Sequence, residues 1–343
     1  MKTPLIFIHG FKGCALQDPQ KRRLWLDARH VLTALAPPLA LPIHWEQHCQ
    51  AHDHLKPGPP LTHVLGVKIY GPFLKWAATL ERPVHVFAYD WRRDNNETTE
   101  HFERFLDTVS PTTPVQVVAH SMGGLITMVA MRRRPERFHS ALFAGTPFGA
   151  GLVMLKDMHA GLPIGFNRRI MSAATNFSFA SAFTFYPTAP NDHRLTNTQD
   201  QIVTHDWYNP ADWVRHAMGP FASQRDTQGQ LLEHLSRSLH AARRFRYGFE
   251  APQRQGERLP PLAALVGDKR PTADRIIKNG PRSVRGYDFD TAPRSPGDGI
   301  VSLYSAMPPL WTNPKVFTSQ RPHSQLLNDL TAVRRALESL PSV

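Results

Sequence analysis

The sequence has no long hydrophobic run and few cysteines, and each shortage excludes a class of protein. A membrane-spanning helix needs about 18 consecutive apolar residues, and no such stretch occurs here. A strand is predicted at residues 4–8, which leaves no room for the successive regions of a signal peptide. Cys14 and Cys49 are too few for a disulfide framework, and a bridge between them is the less expected state. We therefore expect a cytoplasmic globular protein without a membrane-spanning segment.

Acidic residues are scarce relative to basic ones. The chain has 40 Lys and Arg against 28 Asp and Glu, a formal net charge of +12. Such a charge favours anionic surfaces or substrates. The basic residues are scattered in short groups, and neither zinc-finger spacing nor a basic helix leading into heptads is found. We therefore expect no nucleic-acid partner, and we expect transient contact with an anionic membrane surface.

A predicted strand, a sharp turn and a predicted helix meet at Ser121. The strand is indicated by β-branched residues at 115–118, and the helix by residues 125–134. A serine between such a strand and helix is typical of a nucleophile elbow. The tight turn requires small residues two positions before and after the serine, and Ala119 and Gly123 meet that need. A simple capping serine is the alternative, but the context favours a nucleophile.

A serine hydroxyl is a weak nucleophile and needs a base, usually histidine, and an acid that orients the base. His323 follows the last predicted strand, and Asp298 lies between two glycines late in the chain. The order Ser121, Asp298, His323 is that of the α/β-hydrolase fold. Asp268 is a rival acid, because it directly follows the predicted strand at 262–266. Three other histidines are rival bases and are less well placed: His9, His120 and His205.

Strands and helices alternate along the chain, which predicts a mostly parallel central sheet flanked by helices. The predicted strands cover residues 4–8, 83–88, 115–118, 140–144, 262–266 and 315–319, and the predicted helices cover 18–36, 70–80, 98–109 and 125–134. The first strand ends in the loop His9-Gly10-Phe11-Lys12-Gly13. Its glycines allow backbone N–H groups to point into a shared cavity, as an oxyanion requires.

The pattern changes between residues 150 and 258, where aromatic-rich segments replace the alternation. We predict an inserted cap (lid) at 150–258 and a core made of 1–149 and 259–343, with a single structural domain overall. Aromatic residues are concentrated in one part of the cap: Phe177, Phe179, Phe183, Phe185 and Tyr186. They form either the core of the cap or a substrate-binding pocket for apolar chains, since such pockets are mostly apolar.

A histidine-rich segment lies between residues 37 and 60. His44, His48 and His52 are spaced so that a helix would align them on one face, with Cys49 and His54 nearby. A zinc site is one interpretation, and a solvated histidine-rich loop is the other. We favour the loop and expect no metal.

The chain resembles the lecithin:cholesterol acyltransferase-like branch of the α/β-hydrolases, and it also resembles bacterial lipases. The motifs that carry the resemblance are Phe7-Ile8-His9-Gly10, Tyr89-Asp90-Trp91-Arg92, His120-Ser121-Met122-Gly123-Gly124, Gly145-Thr146-Pro147-Phe148-Gly149 and Gly297-Asp298-Gly299-Ile300-Val301. The resemblance implies Ser121 as nucleophile, Asp298 as acid and His323 as base. It also implies that the N–H groups of Phe11 and Met122 form the oxyanion hole.

These observations predict a serine hydrolase that cleaves carboxylic esters through an acyl-serine intermediate and needs no cofactor. The expected substrate is a lipid or another apolar acyl ester. An acyltransferase is the nearest alternative, in which an alcohol replaces water as the acceptor. A non-catalytic lipid-binding module is a more distant one.

Overall fold

The computed structural model describes residues 2–33, 35–44, 55–223, 226 and 229–342. Its centre is a six-stranded sheet in which all neighbouring strands are parallel. In chain order the strands are β1 (Leu5–Ile8), β2 (Val84–Phe87), β3 (Val115–His120), β4 (Phe138–Ala144), β5 (Leu262–Gly267) and β6 (Lys315–Ser319). Their spatial order is β6-β5-β4-β3-β1-β2. The predicted parallel sheet is confirmed.

Helices lie between these strands and after the last of them. The α-helices are α1 (Ala28–Leu32), α2 (Gly71–Ala77), α3 (Asn95–Val109), α4 (Met122–Arg133), α5 (Val153–Ala160), α6 (Ala173–Phe177), α7 (Pro210–Arg215), α8 (Gln230–Glu250) and α9 (Leu330–Glu338). Short 3₁₀ helices cover Pro135–Arg137, Ala180–Phe185, Gly219–Ala222, Leu310–Thr312 and His323–Asn328. In the part of the chain that the structure describes, no helix has both the length and the apolar character needed to cross a bilayer.

Shorter strands pair outside the central sheet. Cys14–Gln17, Arg23–Trp25 and Lys56–Pro60 form one small sheet, and Leu195–Thr196, Ile276–Lys278 and Tyr287–Asp288 form another. Two antiparallel pairs join His63–Val64 to Val67–Lys68 and Arg270–Ala273 to Arg294–Gly297. The second pair leads directly into Asp298.

The central sheet is covered on both faces, and this explains its unbroken apolar strands. Side chains alternate between the faces of a strand, so Leu5 and Phe7 point to one side while Ile6 and Ile8 point to the other. The side of Leu5 and Phe7 is covered by α2 and α9, and the side of Ile6 and Ile8 by α3, α4 and α8. All four side chains are fully buried.

The prediction of a helix at residues 18–36 is wrong. The chain there forms a turn, the strand Arg23–Trp25 and only the short helix α1. Asp18 accepts hydrogen bonds from the backbone N–H and guanidinium of Arg22, and Asp27 accepts from the N–H of Arg29. The Asp18 contact closes a turn, and the Asp27 contact caps the start of α1, so the helix begins only at Ala28.

Two helices begin earlier than predicted. The start of α3 is Asn95 rather than Thr98, because the Asp94 side chain caps it by accepting from the N–H of Asn96. Similarly, α4 begins at Met122 rather than Leu125, directly after Ser121.

The long segment between β4 and β5 contains α5 to α8, and its last helix also packs against helices that cover the sheet. Helix α8 lies against α3 and α4: Asn96 Nδ2 donates to the carbonyl of Ala241 at 2.9 Å, and Gly248 faces the Val129 side chain. Helix α8 thus belongs to the layer that covers the sheet. The division into a core and a cap at residues 150 and 258 stays a prediction.

Candidate active site

Ser121 stands between β3 and α4 in a backbone conformation that side chains rarely adopt. Its φ is 53° and its ψ is −126°, and the residue is almost fully buried. The turn also requires glycine neighbours. A Cβ at Gly123 would lie 2.5 Å from the carbonyl oxygen of His9, and one at Gly10 would lie 2.7 Å from Cβ of Ser121. The strand–turn–helix predicted from sequence is therefore present, with the serine at its apex.

The structure brings Ser121, His323 and Asp298 together in one hydrogen-bonded chain. Oγ of Ser121 lies 3.0 Å from Nε2 of His323, and Nδ1 of that ring lies 2.7 Å from Oδ2 of Asp298. The backbone N–H of His323 also donates to the carbonyl of Asp298 at 3.0 Å. Serine, imidazole and carboxylate are thus ordered as nucleophile, base and orienting acid require.

Asp298 is held as a carboxylate in a buried position. Burial works to raise its pKa, but the His323 ring and two backbone N–H groups act in the opposite direction, and the pKa lies below its ordinary value. Those N–H groups belong to Ile300 and Val301 and lie 2.9 and 2.7 Å from Oδ1. A Cβ at Gly267 would come within 2.5 Å of Cβ of Asp298, so the glycine at the end of β5 admits the acid.

Two backbone N–H groups beside Ser121 are available to an oxyanion. Among the described residues, the N–H groups of Phe11 and Met122 donate no hydrogen bond. The carbonyl of Gly10 accepts from the N–H of Gly13 at 3.0 Å. In a planar trans peptide the carbonyl and the following N–H point in opposite directions, so this contact turns the Phe11 N–H away from Gly13.

His9 orients the same peptide through its ring. Nε2 of His9 lies 3.3 Å from the backbone N–H of Tyr89, which can only donate. The proton is therefore on Nδ1, which lies 2.8 Å from the carbonyl of Gly10 and donates to it. Burial lowers the pKa of His9 to about 4, so the ring stays neutral near pH 7. The sequence suggested His9 only as a rival base, and its side chain instead supports its own loop at residues 9–13, which we call the oxyanion loop because the sequence predicts an oxyanion donor in it.

The other rivals lie outside the hydrogen-bonded chain. His120 contacts the Tyr70 hydroxyl and the backbone of His323, and His205 contacts the carbonyl of Val203. Asp268 is partly exposed, with its carboxylate 4.0 Å from Nζ of Lys269. None of these side chains has a hydrogen bond to Ser121 among the contacts of the described residues.

The predicted substrate-binding aromatics are all buried, and they fall into two groups. In the first group, Phe177 packs against Phe183, with ring centroids 5.6 Å apart, and Phe183 packs against Tyr186 at 6.4 Å. The second group contacts the oxyanion loop: Phe179 and Phe185 lie 6.2 and 5.8 Å from the ring of Phe11. The first group resembles the core of a cap, and the second borders the site.

A buried ion pair that the sequence did not indicate connects the oxyanion loop to α5. Nζ of Lys12 lies 3.1 Å from Oδ2 of Asp157, and both side chains are largely buried. Burial lowers the pKa of Lys12, while Asp157 opposes that shift. The partners are 145 positions apart, so no local pattern could have paired them.

The histidine-rich segment is only partly covered by the structure. His44 is exposed, whereas Cys49, His48, His52 and His54 lie outside the described residues. Within the described ranges, no group of three or more His, Cys, Asp or Glu side chains is arranged to hold a metal ion.

Comparisons with known proteins concern the family and the fold of the chain. The family model described as "Lecithin:cholesterol acyltransferase" matches residues 69–205, a range that includes Ser121 but not Asp298 or His323. The chain is 20% identical to "Uncharacterized protein YJR098C" of Saccharomyces cerevisiae over 410 residues, and the match covers 99% of this chain and 62% of that protein. A solved structure of the "Tle4-Tli4 complex" contains a chain with 13% identity, 96% coverage of both chains and a TM-score of 0.57. This last likeness shows a shared fold.

Proposed function

We propose that this chain, an α/β-hydrolase similar to the lecithin:cholesterol acyltransferase family, is a serine hydrolase that cleaves lipid or other apolar carboxylic esters. The observation that carries the proposal is the hydrogen-bonded chain from Ser121 through His323 to Asp298, beside two N–H groups without partners in the described residues. The Asp298 carboxylate binds Nδ1 of His323 and so orients the ring with Nε2 facing the Ser121 hydroxyl. No cofactor is needed for this chemistry.

The reaction follows from the positions of these groups. Oγ of Ser121 attacks the ester carbonyl carbon while Nε2 of His323 takes the hydroxyl proton. The N–H groups of Phe11 and Met122 stabilise the negative oxygen, and Asp298 stabilises the positive ring. The ring then gives its proton to the departing alcohol, which leaves an acyl-serine. A water molecule then attacks the acyl-serine by the same steps, which releases the carboxylic acid and restores the Ser121 hydroxyl.

Acyl transfer to an alcohol is the second candidate, and the match to a family described as an acyltransferase favours it. The same site would serve, because only the acceptor in the second half of the reaction changes. The deciding experiment incubates the protein with esters of graded acyl length, with and without an added long-chain alcohol, and separates the products. Free acid as the main product supports hydrolysis, and a new ester supports transfer. The absence of both from every ester would overturn the proposal.

The aromatic residues that border the site are proposed to contact the acyl chain. Phe185→Ser is expected to slow long-chain esters about tenfold more than acetate esters, because each buried methylene contributes roughly 0.8 kcal/mol. The matched control is Phe183→Ser, which lies in the other aromatic group. We expect it to lower the free energy of unfolding by about 3–5 kcal/mol and to affect both esters alike. Equal losses on long and short esters for Phe185→Ser would contradict the assignment.

An exposed apolar patch made of Leu32, Leu35 and Phe166 is proposed to meet a lipid surface. These side chains are 63%, 59% and 85% exposed, although they are large and apolar. The two chain segments that carry them are joined by Asn167, whose buried amide donates to the carbonyls of His30 and Leu35 at 2.6 Å each. Exposed apolar side chains grouped in this way are typical of an interaction site.

The charge beside the apolar patch favours an anionic surface. Arg168 and Arg169 follow Phe166 by two and three positions and are exposed, and the chain as a whole carries +12. Apolar side chains that enter the headgroup region and arginines that meet its negative charge are the two contributions to peripheral membrane binding. The proposed partner is therefore a membrane rich in anionic lipid.

Phe166→Ser is expected to weaken binding to phosphatidylglycerol vesicles about tenfold, because burial of a phenylalanine contributes roughly 1.5–3 kcal/mol. Sedimentation with vesicles measures the effect. The matched control is Leu310→Ser, since Leu310 is 82% exposed but lies outside the apolar patch, and it should bind like the wild type. Equal weakening by both variants, or equal binding to phosphatidylcholine vesicles, would refute the assignment.

A further inference from the structure

The side chains of Tyr70 and His120 connect the oxyanion loop with the candidate base. The Tyr70 hydroxyl lies 3.1 Å from the backbone nitrogen of Gly10 and 2.8 Å from Nδ1 of His120. On the other side of that ring, Nε2 lies 2.9 Å from the backbone carbonyl oxygen of His323. Both side chains are buried. The contacts form one continuous path from Gly10 to His323.

Only one arrangement of protons satisfies every contact in this path. The N–H of Gly10 can only donate, and the carbonyl of His323 can only accept. Nε2 of His120 must therefore carry the ring proton. Its Nδ1 then accepts from the Tyr70 hydroxyl, which accepts in turn from Gly10. The path is fully hydrogen-bonded when His120 is neutral and carries its proton on Nε2.

The environment of His120 keeps it in that form. Burial, together with the neighbouring His323, lowers the pKa of His120 to about 3. Burial likewise raises the pKa of Tyr70, so its hydroxyl keeps the proton that it donates. Both groups are uncharged near pH 7, and His120 cannot replace His323 as the base because its acceptor nitrogen faces Tyr70.

The path supplies a second backbone contact to His323 and to Gly10. His323 is bound to Asp298 through both its ring and its backbone N–H, which leaves its carbonyl to His120. Gly10 has its carbonyl fixed by Gly13 and its N–H fixed by Tyr70. Each residue is thus held at both its N–H and its carbonyl, and the second contact of each comes from the Tyr70–His120 pair.

We propose that Tyr70 and His120 are positioning residues that hold the base and the oxyanion loop at a fixed spacing. This inference rests on the proposed function, because it assigns His323 as base and the Phe11 N–H as an oxyanion donor. Neither side chain touches the Ser121 hydroxyl among the described contacts. Their contribution is the alignment of groups that must act on one substrate carbonyl together, and small misplacements of such groups are costly.

The test compares His120→Leu, His120→Gln and Tyr70→Phe on one soluble ester. Leucine removes both ring contacts, whereas glutamine can donate its amide N–H to His323 and accept from Tyr70. We expect His120→Leu to lower kcat about 10²-fold with KM within threefold of the wild type, and His120→Gln to recover most of that loss. Tyr70→Phe keeps the ring and removes only the hydroxyl, and we expect it to lower kcat about tenfold or more.

The outcomes separate this inference from the proposed function. Wild-type protein that neither cleaves esters nor reacts with a fluorophosphonate would refute the function itself. Active wild type with unchanged kcat in folded His120→Leu and Tyr70→Phe would refute only the positioning role. A His120→Gln variant as impaired as His120→Leu, with circular dichroism like the wild type, would do the same, because the hydrogen bonds would then not matter.

Discussion

Ser121→Ala is expected to lower kcat on carboxylic esters by about 10⁴- to 10⁶-fold. The substitution removes the oxygen that is proposed to form the acyl intermediate, while His323 and the two proposed oxyanion donors remain in place. KM should change little for an apolar ester, because the hydroxyl contributes little to substrate binding. Initial rates on a soluble ester, together with mass spectrometry after treatment with a fluorophosphonate, measure the effect.

The control for this variant is a second buried serine. Ser140 lies on β4 and accepts a hydrogen bond from the side chain of Gln116, away from His323. Ser140→Ala should keep kcat within a few-fold of the wild type and should still be labelled by the fluorophosphonate. Activity of Ser121→Ala within tenfold of the wild type, or labelling at another residue, would show that Ser121 is not the nucleophile.

Asp298→Asn is expected to lower kcat by about 10³- to 10⁴-fold, because an amide neither stabilises the positive imidazole nor fixes its tautomer as a carboxylate does. The carboxylate accepts from Nδ1 of His323 at 2.7 Å. Its second oxygen holds the loop through the N–H groups of Ile300 and Val301, and the amide oxygen can retain those contacts. The expected loss therefore concerns kcat rather than folding.

The matched variant is Asp268→Asn, which makes the same chemical change in the rival acid. Asp268 is partly exposed and close to Lys269, so we expect a loss of less than about tenfold. Rates are compared for proteins whose circular dichroism matches the wild type. The opposite ranking of the two variants would assign the acid to Asp268.

The parts of the fold that follow from local pattern could be predicted from sequence. Unbroken apolar strands such as β1 and β5 can be predicted because a strand buried on both faces needs apolar residues at every position. The elbow is readable for a similar reason, since the turn restricts the residues on either side of Ser121 to small ones. Chain order then indicated Asp298 and His323, and the structure brings all three residues together.

Contacts between distant segments could not be predicted. The support of the oxyanion loop by His9 depends on a neighbouring strand end, and Tyr70 reaches His120 across 50 positions. The sequence does not distinguish a buried neutral histidine from a catalytic one, because only their hydrogen-bond partners differ. The region at 18–36 failed for another reason: its apolar spacing suits a helix, but Asp18 closes a turn with Arg22 and Asp27 caps α1, so the helix begins only at Ala28.

The backbone conformation at Ser121 affects which residues are favourable at that position. A residue with a side chain at φ 53° and ψ −126° carries strain on the order of 1–3 kcal/mol, and glycine would relieve it. Because whole domains are stable by only about 5–15 kcal/mol, this is a sizeable fraction of the total. A serine is therefore expected at position 121 only where its hydroxyl is needed, as the proposed role of Ser121 requires.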